Sequence, residues 1–348
     1  MQQADGTKLF FASDYQEGAH PAILRRLVET NLEKTAGYGF DPYTESARAK
    51  IREACQSPEA EVFLLVGGTQ TNATVIDALL CPWQGAVAAE TGHIAVHEAG
   101  AIELGGHKVL TVPQTEGKMT AEALEKAFSG YWADENREHM VMPGLVYLSQ
   151  PTEYGTLYSL KELEGIRALC DRYDAALYVD GARLAYALAA SENDVTLADL
   201  GRLCDAFYIG GTKCGALFGE AVVFPGRRKA PHFFTVVKQH GALLAKGRIA
   251  GIQFDTLFTD GLYEAAGRNA VEAANRIRAA LRERGIPLAL ETPTNQIFVS
   301  LDDDQLRRLS DRVAMDYWER TPEGRTVMRI ATSWATAEED VDRLIACL

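Results

Sequence analysis

Between about residues 60 and 225, short and almost wholly apolar runs alternate with stretches in which apolar residues return every three or four positions. The runs cover 62–66, 86–89, 108–112, 145–148, 176–179, 206–209 and 222–224. Runs this short and this apolar predict strands buried on both faces, as in a parallel sheet. The intervening stretches carry helix start signals. Ser159-Leu160-Lys161-Glu162 forms a capping box ahead of Leu160, Leu163, Ile166 and Leu169 at helical spacing, and Thr196 precedes an acidic first turn. Strand-helix alternation of this length predicts an α/β fold, a doubly wound and mostly parallel sheet.

The last hundred residues change character. A long helix is expected across 263–284, stopped by Gly285-Ile286-Pro287. Strand-like 296–301, a helix from Asp303, strand-like 327–331 and a helix opened by Thr336 follow. The predicted organisation is an N-terminal arm with a large α/β domain over 1–250 and a smaller C-terminal α+β domain over 251–348.

Charge and cysteine content narrow the partners. The 348 residues hold 35 Lys and Arg against 48 Asp and Glu, a formal charge of −13. That excess opposes an extended phosphate-backbone partner, so no nucleic acid is expected. No apolar run approaches the roughly 20 residues a membrane helix needs, so no membrane is expected either. The stretch Met1-Gln2-Gln3-Ala4-Asp5-Gly6 has neither the basic nor the apolar part of a signal peptide. Six scattered cysteines, without a Cys-x-x-Cys pair, read as reduced thiols of a cytoplasmic protein, with no metal site expected.

Four features stand at the predicted C-terminal ends of strands, where open α/β sheets place their ligands. Gly67-Gly68-Thr69-Gln70 runs from a strand into a helix; paired glycines let the backbone approach an anion, though a plain tight turn reads the same. Asp180, in Tyr178-Val179-Asp180-Gly181-Ala182-Arg183, ends a buried strand and needs a cationic or protonated partner, or serves as a helix cap. Lys213, in Gly210-Gly211-Thr212-Lys213-Cys214, follows the next strand among small residues that leave room for Schiff-base chemistry. Glu90-Thr91-Gly92-His93 offers an imidazole to stack on a flat ring and carry a proton, with His97 one turn on as competitor. A strand-end acid, a strand-end lysine and an anion cradle are what pyridoxal phosphate requires.

The order Gly-Gly-Thr-Gln, Gly92-His93, Val179-Asp180-Gly181-Ala182-Arg183 and Thr212-Lys213 resembles the threonine aldolases. These are lyases of the fold-type I, aspartate-aminotransferase-like group of pyridoxal phosphate enzymes. The likeness runs from Phe11-Ala12-Ser13-Asp14 to Met328-Arg329-Ile330-Ala331. It implies that Lys213 carries the cofactor as a Schiff base, Asp180 holds the pyridinium proton and His93 stacks on the ring. Gly68 and Thr69 would cradle the phosphate, with Lys246 or Arg248 as its counter-charge. Ser13, Arg183 and Arg329 would hold the substrate carboxylate, an Arg fork matching it bidentately. Tyr38 matches a family tyrosine near the cofactor that reaches a neighbouring subunit's site. His139, aligned with a one-residue shift, would be a second histidine at the substrate hydroxyl, so that His93 or His139 is the base. The implied assembly is a homotetramer, a dimer of dimers.

The expected reaction is retro-aldol scission of threonine or allo-threonine to glycine and an aldehyde. The alternative on the same cofactor is β-elimination from cysteine- or tyrosine-like amino acids. A binding protein that merely keeps the fold would be expected to lack Lys213, Asp180 or His93, and all three are present. The scarce cations would then gather at the site, leaving the acidity to the outer surface.

Overall fold

All seven apolar runs become strands of one sheet. They are β1 (Glu61–Leu65), β2 (Gln84–Ala89), β3 (Val109–Val112), β4 (Met142–Ser149), β5 (Ala176–Asp180), β6 (Ala206–Gly210) and β7 (Glu220–Phe224). The computed structural model describes residues 8–348, so the stretch Met1–Gly6 lies outside the described residues. The strand order is β1-β7-β6-β5-β4-β2-β3. β3, β2, β4, β5 and β6 pair in parallel, while β7 runs antiparallel between β6 and β1. The reversal has a simple cause. The loop 211–219 is too short for the crossover that a parallel return needs, so the chain must come straight back.

Both sheet faces are covered, which is why the strands lack a polar side. In β5, Ala176 and Tyr178 join one apolar cluster while Leu177 and Val179 join the other. The capping box foreseen at Ser159 and the helix start foreseen at Thr196, which is itself a capping box with Asp199, open the helices Leu160–Tyr173 and Leu197–Leu203. These helices and their neighbours leave the strand C-termini open on one edge of the sheet.

The smaller layer is an antiparallel sheet of β8 (Leu288–Leu290), β9 (Gln296–Leu301), β10 (Asp316–Arg320) and β11 (Thr326–Ala331), in the order β8-β9-β11-β10. The long helix Leu262–Glu283 serves both layers. Tyr263, Ala270 and Val271 pack in the large core, whereas Ala273, Ala274, Ile277 and Leu281 pack with the small sheet. The N-terminal strand Leu9–Phe10 pairs with Val313–Ala314, so the arm begins on the small layer and then crosses to the mouth of the large one.

Two glycines fix how the central strands end. A Cβ on Gly181 would lie 2.1 Å from the Tyr208 carbonyl oxygen, and one on Gly210 would lie 2.3 Å from the Ala182 carbonyl oxygen. The Gly210 N–H donates to the Gly181 carbonyl at 2.9 Å. The ends of β5 and β6 therefore touch backbone to backbone, and the side chains just beyond them, at Asp180 and Lys213, open into one mouth.

Candidate active site

A cavity of about 740 Å³ lies across the C-terminal ends of the parallel strands and is roofed by β10 of the small sheet. Asp180, Lys213, His93, Arg183, Arg329, Gly68 and Thr69 all border it, having come together from as far as 261 positions apart in sequence (residues 68 to 329).

Asp180 forms the floor. It is buried, yet its carboxylate accepts from Tyr147 Oη at 2.6 Å, Asn72 Nδ2 at 3.0 Å and the Ala182 N–H at 3.0 Å. Burial favours the neutral acid. The opposing pull of the His93 imidazole, with hydrogen bonds from Tyr147, Tyr208 and Asn72, holds the group below the usual carboxylate range. It is thus an ionised acid built into the wall, not a helix cap.

Lys213 sits opposite, half-buried, its ammonium 5.9 Å from the centre of the Tyr15 ring. Its main chain is held by a hydrogen bond from Tyr186 Oη to the Lys213 carbonyl. Burial, reinforced by Arg183, pulls the amine below its ordinary value despite Asp14, Asp180 and Glu220. A larger neutral fraction is what a lysine nucleophile needs. Glu220 lies beside it, accepting from Thr212 Oγ1 at 2.7 Å and the Gly211 N–H at 3.2 Å, and burial pushes its carboxyl up to about 8.

His93 opens the short helix His93–Val96. Its Nδ1 faces Glu98 Oε1 at 2.7 Å, and Asn72 Nδ2 also donates to Glu98 Oε1 at 2.7 Å. Asn72 therefore bridges Glu98 to Asp180, and its Oδ1 accepts from Tyr178 Oη at 2.8 Å. This network fixes the imidazole with Nδ1 turned inward, leaving Nε2 for the cavity. His97 lines the same wall, with ring centres 5.6 Å apart.

Two arginines flank the cavity, each already gripped by a protein carboxylate. Arg183 donates from Nε and Nη2 to the two oxygens of Asp14, at 2.6 and 3.1 Å. Arg329 donates to Asp316 Oδ2 at 2.8 Å and to Gln296 Oε1 at 3.1 Å. Burial disfavours the Asp14 anion, but Arg183 and Lys213 outweigh it and hold its carboxyl at about 2. A depressed carboxylate contributes stability that is present above its ordinary value near 4 and is lost as pH falls through about 2. Replacing Asp14 by Asn is expected to cost about 3–5 kcal/mol by stranding Arg183. It should also flatten the loss of stability below pH 4, and urea unfolding followed across pH checks both.

Five residues expected at the site, counting both Lys246 and its alternative Arg248, do not border this cavity. His139 ends a one-turn helix, Arg137–His139, and is exposed at the N-terminal end of β4, the edge of the sheet opposite the cavity. The sequence already places His139 before this strand, and the strand's C-terminal end is the one that meets the cavity. Lys246 is exposed in the loop ahead of the helix Arg248–Leu257, and the Arg248 guanidinium is spent on the carbonyls of Thr30 and Glu33. Tyr38 adopts a left-handed backbone (φ 60°), donates its N–H to Ala245 O at 3.1 Å and lies under Lys238, so it borders only a small separate groove. Ser13 lies two residues before Tyr15, and it is Tyr15 that borders the cavity.

Sequence reasoning in turn passed over Asn72, Glu98, Glu153, Tyr147, Glu220 and Asp14. Asn72 falls one helical turn after Gly68 on the helix Gly68–Leu79, so helical spacing offered a clue to it, whereas Glu98 lies beyond the short helix His93–Val96 and carried none. Glu153, beyond β4, carried no signal of its own.

The chain matches the family model described as "Beta-eliminating lyase" over residues 11–332. It is 30% identical over 342 residues to the low specificity L-threonine aldolase of Pseudomonas aeruginosa, covering 96% of this chain and 95% of that one. It is 41% identical to a solved structure of Leishmania major threonine aldolase, with a TM-score of 0.94 over 97% of this chain and 98% of that one. A Thermus thermophilus aspartate aminotransferase superposes with a TM-score of 0.70 at 16% identity, covering 98% of this chain and 90% of that one. The last likeness shows the fold, an aspartate-aminotransferase-like α/β architecture.

Proposed function

The chain belongs to the beta-eliminating lyase family, and within it we propose a pyridoxal phosphate-dependent aldehyde-lyase. Its reaction is the cleavage of L-threonine, L-allo-threonine and related β-hydroxy-α-amino acids to glycine and an aldehyde. The observation that carries this reading is the convergence of a lysine amine with a lowered pKa, an ionised aspartate and an anchored imidazole on one cavity. Elimination is not favoured, since full-length relatives carry the threonine aldolase name.

The residues present fit the cofactor. The helix Gly68–Leu79 starts at Gly67 with no side-chain cap, and a Cβ on Gly67 would meet nothing within 4 Å, so bare N–H groups face open space. Such a terminus seats a phosphate. Thr91 Oγ1 and Arg329 Nε are buried without a partner, as expected where a ligand completes the hydrogen bonds. Gly68 and Thr69 would hold the phosphate, Asp180 the ring nitrogen and Lys213 the aldehyde carbon. When bound, pyridoxal phosphate supplies an electron sink at the substrate's amino carbon.

The chain's own groups do the rest. Asp180 keeps its charge and so retains a proton on the group it faces. His93, its Nδ1 tied to Glu98, presents Nε2 to the ring and to the substrate. Arg329 and Arg183 orient the substrate carboxylate, which fixes the bond that breaks. Asp14 and Asp316 preset these guanidiniums so that less side-chain freedom is lost on binding.

The same reading includes a homotetramer in the cytoplasm. Leu24, Val28 and Leu32 form an exposed apolar ridge, with Phe40 also exposed, and a ridge of this kind suits burial against another subunit. Tyr38, whose N–H donates to the Ala245 carbonyl, and Lys246, the next residue after Ala245, would then reach a neighbour's cavity. The six free cysteines suit a reducing compartment. Among the described residues no helix is long and apolar enough to cross a membrane.

Purified protein loaded with pyridoxal phosphate and given L-threonine should release acetaldehyde, read by coupled reduction to ethanol. A loaded protein that releases none overturns the reading.

A further inference from the structure

We propose that Glu153 is the group that takes the proton from the substrate's β-hydroxyl, the role that sequence alone offered to His93 or His139. This rests on the aldehyde-lyase reading above. Glu153 follows β4 in the loop 150–153 and borders the cavity beside His93, Tyr154 and His97. Its Oε1 is fully engaged, accepting from the His93 N–H at 2.8 Å and from Ser149 Oγ at 2.6 Å. Oε2 makes no hydrogen bond to another residue among the described ones. One oxygen is thus a fixed pivot and the other is left for a ligand.

The backbone of the loop is held as well. Gln296 Nε2, on β9, donates to the Glu153 carbonyl at 3.3 Å, and the same side chain accepts from Arg329. The carboxyl that faces the substrate and the guanidinium that orients its carboxylate are therefore positioned by one glutamine.

The surroundings suit a base. Burial, together with the negative charge of Asp180, raises the Glu153 carboxyl above the usual range, while Ser149 and the His93 imidazole act against it. Tyr147, near the end of β4, faces it through Ser149, and Arg183 is a cation within its electrostatic reach. His93, by contrast, is committed through Nδ1 to Glu98 and lies on the wall assigned to the cofactor ring.

The step balances within the substrate and this residue. The hydroxyl O–H proton passes to Glu153 Oε2, and the oxygen electron pair forms the aldehyde C=O. The Cα–Cβ bond breaks with its pair left on the amino carbon, into the electron sink. Protonation of that carbon gives glycine, and Glu153 regains its charge when its proton leaves by this route or to water.

The test uses the pyridoxal phosphate-loaded protein with L-threonine across pH. Replacing Glu153 by Gln should leave the visible cofactor band unchanged and lower kcat about 100-fold or more, with little change in KM. The acid limb of the kcat profile should vanish in that variant. Ser149→Ala removes a hydrogen bond that favours the anion, so its acid limb should move to higher pH. Acetaldehyde from the wild type with an unaltered kcat in Glu153→Gln overturns the proposal alone. So does loss of the cofactor band in Glu153→Gln, or an unmoved limb in Ser149→Ala. No acetaldehyde from the wild type overturns the reading beneath it, and the proposal with it.

Discussion

Replacing Lys213 by Ala abolishes both turnover and the visible absorption that appears when the wild type is loaded with pyridoxal phosphate. The amine is the only primary amine bordering the cavity among the described residues, and its pKa is pulled down by burial and by Arg183. No neighbour can replace it: Arg183 and Arg329 carry guanidiniums that do not deprotonate and are bound to Asp14 and Asp316. The fold should survive, because the Lys213 anchor to Tyr186 runs through the backbone carbonyl, which alanine keeps. Circular dichroism matching the wild type, with no band and no acetaldehyde, is the expected result. A variant that retains both would remove Lys213 from the chemistry.

The second large effect is at Asp180. Asp180→Asn keeps the shape but places an amide where Tyr147, Asn72 and the Ala182 N–H all donate, so at least one donor meets another donor. The variant also loses the negative charge that keeps a proton on the cofactor ring. We expect kcat to fall about 100- to 10,000-fold, the span of a lost proton-holding group, with the cofactor still bound through Lys213. A blue or red shift of the cofactor band, read against the wild type at one pH, reports the changed ring charge. An Asn variant with wild-type kcat would mean that Asp180 is a structural acid only.

Much of the fold was legible because burial on both faces leaves a plain mark. Every strand of the main sheet appears in the sequence as an apolar run, and the long helix is bounded by its Gly-Ile-Pro stop. What escaped were elements without that mark. Strand β10 reads Asp-Tyr-Trp-Glu-Arg and lies at the edge of the small sheet, so its stabilisation comes from pairing with β11 and from Trp318 packing on Tyr154 and Phe298. Yet β10 supplies Asp316 and the cavity roof. The reversed direction of β7 was legible only through the shortness of the loop before it.

The site divides in the same way. Residues at strand ends, Asp180, Lys213 and His93, were readable because position on the sheet edge fixes where they point. Tyr38, Lys246 and His139 rested on alignment to relatives, and none of them reaches the cavity of its own chain. The picture of cations gathered at the site with acids left outside also changes. Lys213, Arg183 and Arg329 share the cavity wall with Asp180, Glu153, Glu220, Asp316 and Glu319. Asp14 and Asp316 hold the two arginines and the buried Glu98 holds the His93 ring, so the acidity of the chain is partly spent inside.

The central claim is that this cavity breaks the Cα–Cβ bond of a β-hydroxy amino acid, and one mass balance tests it most directly. Loaded wild-type protein is incubated with L-threonine, and glycine, acetaldehyde, ammonia and 2-oxobutanoate are quantified in the same sample. The account predicts glycine and acetaldehyde in equal amounts, with no 2-oxobutanoate. Formation of 2-oxobutanoate and ammonia in their place would show that the Cβ–oxygen bond is the one cleaved, and would contradict it.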